Sequence, residues 1–159
     1  MLSIQISDIK TFMKELLMSE RFDNYLLVSG SITTYNTLDV DGRIRAEFFG
    51  DEYDISPMYG YDYTPWKQSK DLFLSRIKGK HTPLSFKFVL KLMPKQATSI
   101  LSEATDDARN NTSALLLNIK YDEHGLSVIT GTSSIEFILD KSAEDAWDNH
   151  IRHSFSAWE

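Results

Sequence analysis

The sequence predicts an α+β domain made of two βαβββ repeats, with a linker and helix inserted between them and a helix at the C-terminal end. Three observations predict it. Several short runs alternate apolar and polar residues, as half-buried strands do, while four other runs repeat apolar residues at helical spacing. The order strand, helix, strand, turn, strand, strand occurs twice, and an internal repeat of this kind constrains the whole fold. The length of 159 residues fits one domain, since single domains cluster at roughly 100–200 residues. The expected layout is therefore a single domain 1–159, with repeat 1 at 2–49, linker and helix at 50–82, repeat 2 at 83–139 and the last helix at 142–158.

Repeat 1 opens with Leu2, Ile4 and Ile6 alternating with polar residues, a short strand. Ser7 or Asp8 caps a helix whose apolar face is Ile9, Phe12, Met13, Leu16 and Leu17. Tyr25 to Val28 reads as a strand, Ser29-Gly30 as a turn, and Ile32 to Leu38 as a second strand rich in β-formers. Asp39-Val40-Asp41-Gly42 is a tight-turn signal, and Arg43 to Phe49 returns as a third strand with Ile44, Ala46 and Phe48 on one face. Residues 50–65 are acidic and aromatic, broken by Pro57, Gly60 and Pro65, and read as a connecting loop of functional or wrapping character. Trp66 to Ile77 is a helix with Trp66, Leu72, Phe73 and Ile77 inward.

Repeat 2 begins at Pro83. Phe86, Phe88, Leu90 and Leu92 alternate with Lys87, Val89 and Lys91 in a half-buried strand, and Pro94 suits the first position of a helix carrying Ala97, Ile100, Leu101 and Ala104. Asp106 to Asn111 is a polar break. Ala114 to Ile119, Leu126 to Thr132 and Ile135 to Leu139 are strands, with Asp122 to Gly125 as a turn. The final helix buries Ala143, Trp147, Ile151 and Trp158.

The apolar share of 42% and charged share of 25% are ordinary for a globular protein, which sets global disorder aside. The absence of cysteine excludes disulfides, thiolate nucleophiles and cysteine-bound metal, and it suits a reducing, cytoplasmic compartment. The first residues show neither a basic nor a long apolar region, so no signal peptide is expected. No apolar run approaches the ~18 residues of a membrane span. Charge is unevenly spread. Residues 67–95 carry +7, and the rest of the chain carries −13. Such asymmetry marks a site for an anionic partner or a lysine-rich surface.

Catalytic signatures are missing. Asp39 to Gly42 lacks the downstream ligands of a calcium loop, and Gly79-Lys80 lacks the flanking Gly and Ser/Thr of a phosphate loop. Ser75 to Lys78 matches Ser-x-x-Lys without its companion motifs, and no Gly-x-Ser-x-Gly occurs. Asp51, Glu52 and Asp54 read as a solvated acidic loop. His150 and His153 share a helical face but want a third ligand, so no metal and no cofactor is expected. The best constellation is Tyr59, Tyr61, Tyr63 and Trp66 followed by Lys67, Lys70, Arg76, Lys78 and Lys80. Aromatics stack on bases and cations neutralise phosphates, so Trp66, Lys67, Lys70, Arg76, Lys78 and Lys80 are the candidate nucleic-acid or anion site. The alternative is that these aromatics fold back over the core.

The run Leu115 to Ile119 with Gly125 to Thr132, and the run Leu26 to Thr34, resemble the central hairpins of DNA sliding-clamp domains, whose plan is a βαβββ unit repeated twice. The resemblance covers residues 2–49 and 84–139. It implies helices that present cations to DNA. Here Lys10 and Lys14 stand beside Glu15, and Lys95 is followed by Glu103, Asp106 and Asp107, a departure that points away from encircling DNA. The chain is also similar to an uncharacterised bacterial family of unknown function. Phe22-Asp23, Ile32 to Thr37, Ile77 to Lys80 with Thr82-Pro83, and Leu139-Asp140 with Trp147-Asp148 carry that likeness. It implies no activity. The expected function is a non-enzymatic binding module of clamp-like fold with a protein or nucleic-acid partner and no membrane association. The alternatives are an enzyme with an unfamiliar site and an assembly subunit.

Overall fold

Alternation along β5 (Ser85–Leu92) buries Phe86, Phe88, Leu90 and Leu92 and leaves Lys87 in solvent. Residues 112–122 and 125–134 alternate in the same way, so their fully buried residues fall on one side of a common sheet. The computed structural model describes all residues 1–159. It contains β1 (Ser3–Ile6), α1 (Ile9–Met18), β2 (Tyr25–Thr33), β3 (Thr37–Asp41), β4 (Thr64–Pro65), α2 (Trp66–Ile77), β5, α3 (Pro94–Leu101), α4 (Asp106–Asn111), β6 (Thr112–Asp122), β7 (Gly125–Ser134) and α5 (Ser142–Phe155). The strands form one seven-stranded antiparallel sheet in the order β1-β7-β6-β5-β2-β3, and β4 pairs with the start of β2.

Register shows which side is the core. Ile4, Val128, Ile119, Phe88, Gly30 and Val40 lie in one row across the sheet. The helices cover this side. Phe88 meets the rings of Trp66 and Phe73 from α2 at 5.3 and 4.8 Å. Thr130 of β7 bonds Asp148 of α5. Phe12 of α1 packs edge-on against Trp158 at 5.2 Å, in the 3-10 turn that follows α5. The other side carries Gln5, Ile129, Asn118, Lys120, Lys87, Val89 and Ser31, all exposed or half-buried. The molecule is thus two layers, helices on one face of a sheet whose second face is largely open.

Several expectations are corrected. Residues 25–38 do not form two strands around a turn at Ser29-Gly30. β2 runs straight through with a bulge between Leu27 and Ser29, and the chain turns at Thr34 to Asn36. Gly30 serves a close approach instead, because a Cβ there would lie 2.5 Å from Cζ of Phe73. Asp39 to Asp41 belong to β3 rather than to a turn, and Gly42 lets the chain press against the bulge of β2, donating to Val28 O at 3.0 Å where a Cβ would lie 1.7 Å from the Leu27 carbonyl oxygen.

The third strand of each expected repeat does not form. After Gly42 only Arg43 makes a bridge, to Tyr63, and Ala46–Phe48 and Gly50–Ile55 coil into 3-10 turns. Ile135 to Leu139 runs past the end of β6, which begins at Thr112, so no strand lies beside it. The Asn111 side chain takes that place, accepting from Glu136 N at 3.0 Å and donating to Glu136 O at 2.8 Å. The element order is therefore β1-α1-β2-β3 in the first half and β5-α3-α4-β6-β7 in the second. The polar break at Asp106 to Asn111 is the short helix α4, because Thr105 Oγ1 caps it by accepting from Ala108 N at 3.2 Å. Leu72, expected inward on α2, is 48% exposed, and Ser69 occupies the inner position.

Candidate interaction surface

The residues between β3 and β4 form a projecting arm. Its stem is fastened by Ile44 N to Asp62 O at 3.1 Å and by Thr64 N to Gly42 O at 2.8 Å. Lys91 Nζ pairs with Asp62 Oδ2 at 2.7 Å and lies 5.8 Å from the Tyr63 ring centre, so the Lys91 side chain reaches from β5 to the stem beside the outer edge of β2. Beyond the stem the arm packs on itself. Phe48, Phe49, Tyr53 and Tyr59 form a chain of ring contacts with centre distances of 5.3, 6.1 and 5.4 Å. Phe48, Ile55 and Tyr59 remain 83%, 79% and 57% exposed. Arg45 is the single cation of residues 44–62, against Glu47, Asp51, Glu52, Asp54 and Asp62. An exposed aromatic surface on an acidic segment is the result.

The basic candidate residues are dispersed in role. Trp66 is fully buried, its indole N–H donating to Leu16 O at 2.8 Å and its ring stacked on Phe73 at 5.6 Å, so it shows no face to a base. Lys70 donates to Ser19 O and Asp23 Oδ1 at 2.8 and 2.9 Å and ties α2 to the end of α1. Arg76 reaches the β2–β3 turn, donating to Thr34 Oγ1 at 3.0 Å and to the Asn36 side chain, with its guanidinium 5.2 Å from the Tyr35 ring centre. Lys67, Lys78 and Lys80 are exposed. The structure thus commits three of the six to folding and leaves three cations in solvent.

His150 lies flat against Trp147, with ring centres 5.8 Å apart, and burial lowers its pKa despite the opposing pull of Glu103. No group of three His, Asp or Glu side chains converges as metal ligands would. At the far loop, hydrogen bonds from Thr105 and Ser142 hold the Asp140 carboxyl below the usual carboxylate range. This anchoring, with that of Asn111, displays Ile135, Phe137 and Leu139 at 73%, 82% and 84% exposure. No helix is long and apolar enough to cross a membrane.

A model of a family of unknown function, DUF5721, matches residues 15–159, nearly the whole chain. The chain belongs to the DUF5721 family. The DUF5721 match begins inside α1 and takes in the arm, the basic segment and the open sheet face alike. No curated protein and no solved structure matches. Sequence reasoning missed the exposed apolar residues of both segments because it paired Phe48 and Phe137 into strands. The signal present was Gly50 and the acids Glu47, Asp51, Glu52 and Asp54, which interrupt any apolar face.

Proposed function

We propose that the protein is a non-enzymatic binding module that docks a protein partner on its acidic aromatic arm. The observation that carries this is the exposure of Phe48, Ile55 and Tyr59 on a segment fastened at its stem. Large apolar side chains gathered in solvent mark interaction surfaces, and aromatics supply most of the energy in such contacts. The carboxylates around them select a partner with a basic rim, because charge complementarity governs partner choice and approach.

The test is affinity capture from cell extract with the wild type and with Phe48→Ser, Ile55→Ser and Tyr59→Ser combined. A protein retained by the first and lost by the second, at equal melting temperature, supports the proposal. Identical captures from both would remove it.

A second reading is favoured by Lys67, Lys78 and Lys80, which are exposed and enter no ion pair of the chain. Here the partner is nucleic acid, bound through phosphates alone since Trp66 offers no stacking surface. Binding to labelled single- and double-stranded DNA would then fall steeply with salt and be lost in Lys78→Glu with Lys80→Glu. Absence of binding at low salt would eliminate this reading and leave the first untouched.

A further inference from the structure

A separate cavity of about 280 Å³ opens between the start of β2, α3 and α5. Its floor is apolar, with Phe22, Leu92, Ile151 and Phe155 buried. Arg21, Asn24, Gln96, Ser99, His150 and Ser154 supply its polar wall. The chain holds 23 acidic residues and carries a net −6, yet none of the twelve residues lining this cavity is a carboxylate. Glu103, whose charge acts on His150, does not line it.

Two polar groups in this wall are only partly engaged. Arg21 Nη2 donates to Ser154 O at 2.9 Å, and the guanidinium carbon lies over the Trp158 ring at 4.4 Å from its centre. This holds the cation at the rim with other N–H donors to spare, in the fixed fork that suits a carboxylate. Gln96 Nε2 donates to Asn24 Oδ1 at 3.3 Å, while its Oε1 is buried with no partner. An ammonium group would find no carboxylate here to balance its charge.

We infer that this cavity binds a small carboxylate with an uncharged, largely apolar body, such as an aromatic hydroxy acid, in preference to the zwitterionic amino acid of the same shape. The carboxylate pairs with Arg21, and the apolar body covers Phe22 and Phe155. The volume lies just below the ~300–1,000 Å³ typical of ligand cavities, so the ligand is small.

The experiment is calorimetric titration of the full chain with 3-phenyllactate, phenylalanine and 3-phenylpropanamide. Saturable binding of phenyllactate is expected, with the other two at least tenfold weaker. Arg21→Gln should weaken phenyllactate at least tenfold. Should Arg21→Gln disturb the Trp158 contact and the fold, Ser99→Phe, at an exposed position of α3, blocks the cavity and should abolish binding at unchanged melting temperature. No saturation at millimolar phenyllactate, equal binding of phenylalanine, or binding that both variants leave intact would overturn the inference.

Discussion

Gly42 and Gly30 show how single residues decide the path of this chain. Neither has a positive φ. Each is required because another atom stands where a Cβ would go, the Leu27 carbonyl oxygen in one case and the Phe73 ring in the other. The obstacle at Gly30 is a side-chain tip, so Gly30→Ala should cost about 1–3 kcal/mol through overpacking. The obstacle at Gly42 is backbone, so Gly42→Ala should cost more, about 3 kcal/mol or above. Chemical denaturation of the two variants checks the order, and equal stability would refute the steric account. His150 makes a pH prediction. Its pKa is lowered in the fold, chiefly by burial, so the unfolded chain binds more protons near pH 6. The stability it contributes is present above the unfolded pKa of about 6.5 and is lost as pH falls through the folded value. Between pH 7.5 and 5.5 the melting temperature should therefore fall more in the wild type than in His150→Gln.

At the scale of elements, Arg43 to Phe49 and the 135–139 segment were expected as strands and are not. A strand needs a partner edge as well as a suitable sequence. Ile135 to Leu139 has the alternation but no neighbouring strand, and Asn111 supplies one residue's worth of ladder in its place. Asn111→Ala should then raise amide exchange at Glu136 while leaving Ile135 N, bonded to Asn111 O at 2.9 Å, protected. Faster exchange at both positions would mean that the segment depends on more than the side chain. No residue from 41 to 65 joins the core cluster. Replacing 45–61 with a short Gly-Ser turn should accordingly leave the melting temperature within a few degrees. A large drop would show that the arm stabilises the sheet.

Across the whole molecule, the first half, β1 to β3, and the second, β5 to β7, form two units that share one sheet and one core. β2 pairs with β5 in the middle, and β1 of the first unit pairs with β7 of the second. A single core cluster of 28 residues draws on both units. Thermal unfolding should thus show one cooperative transition with calorimetric and van't Hoff enthalpies in agreement. Two transitions would mean that the units fold separately. The uneven charge also takes its meaning at this scale. The +7 of residues 67–95 divides among a buried tie at Lys70, a turn anchor at Arg76, a stem contact at Lys91 and cations left in solvent.

What the sequence determined by itself is whatever depends on local periodicity. The α+β class, the inward faces of α1 and α5, the bounds of α2 and the core face of β5 were all legible, because apolar residues recur at the period of the element that buries them. The tertiary structure alone decided where strands find partners, which glycines turn and which make room, and whether a tryptophan or a lysine faces solvent. Each of these depends on atoms far along the chain. Trp66 answers to Leu16, Lys70 to Ser19, Gly42 to Leu27, and no local pattern records such distant neighbours.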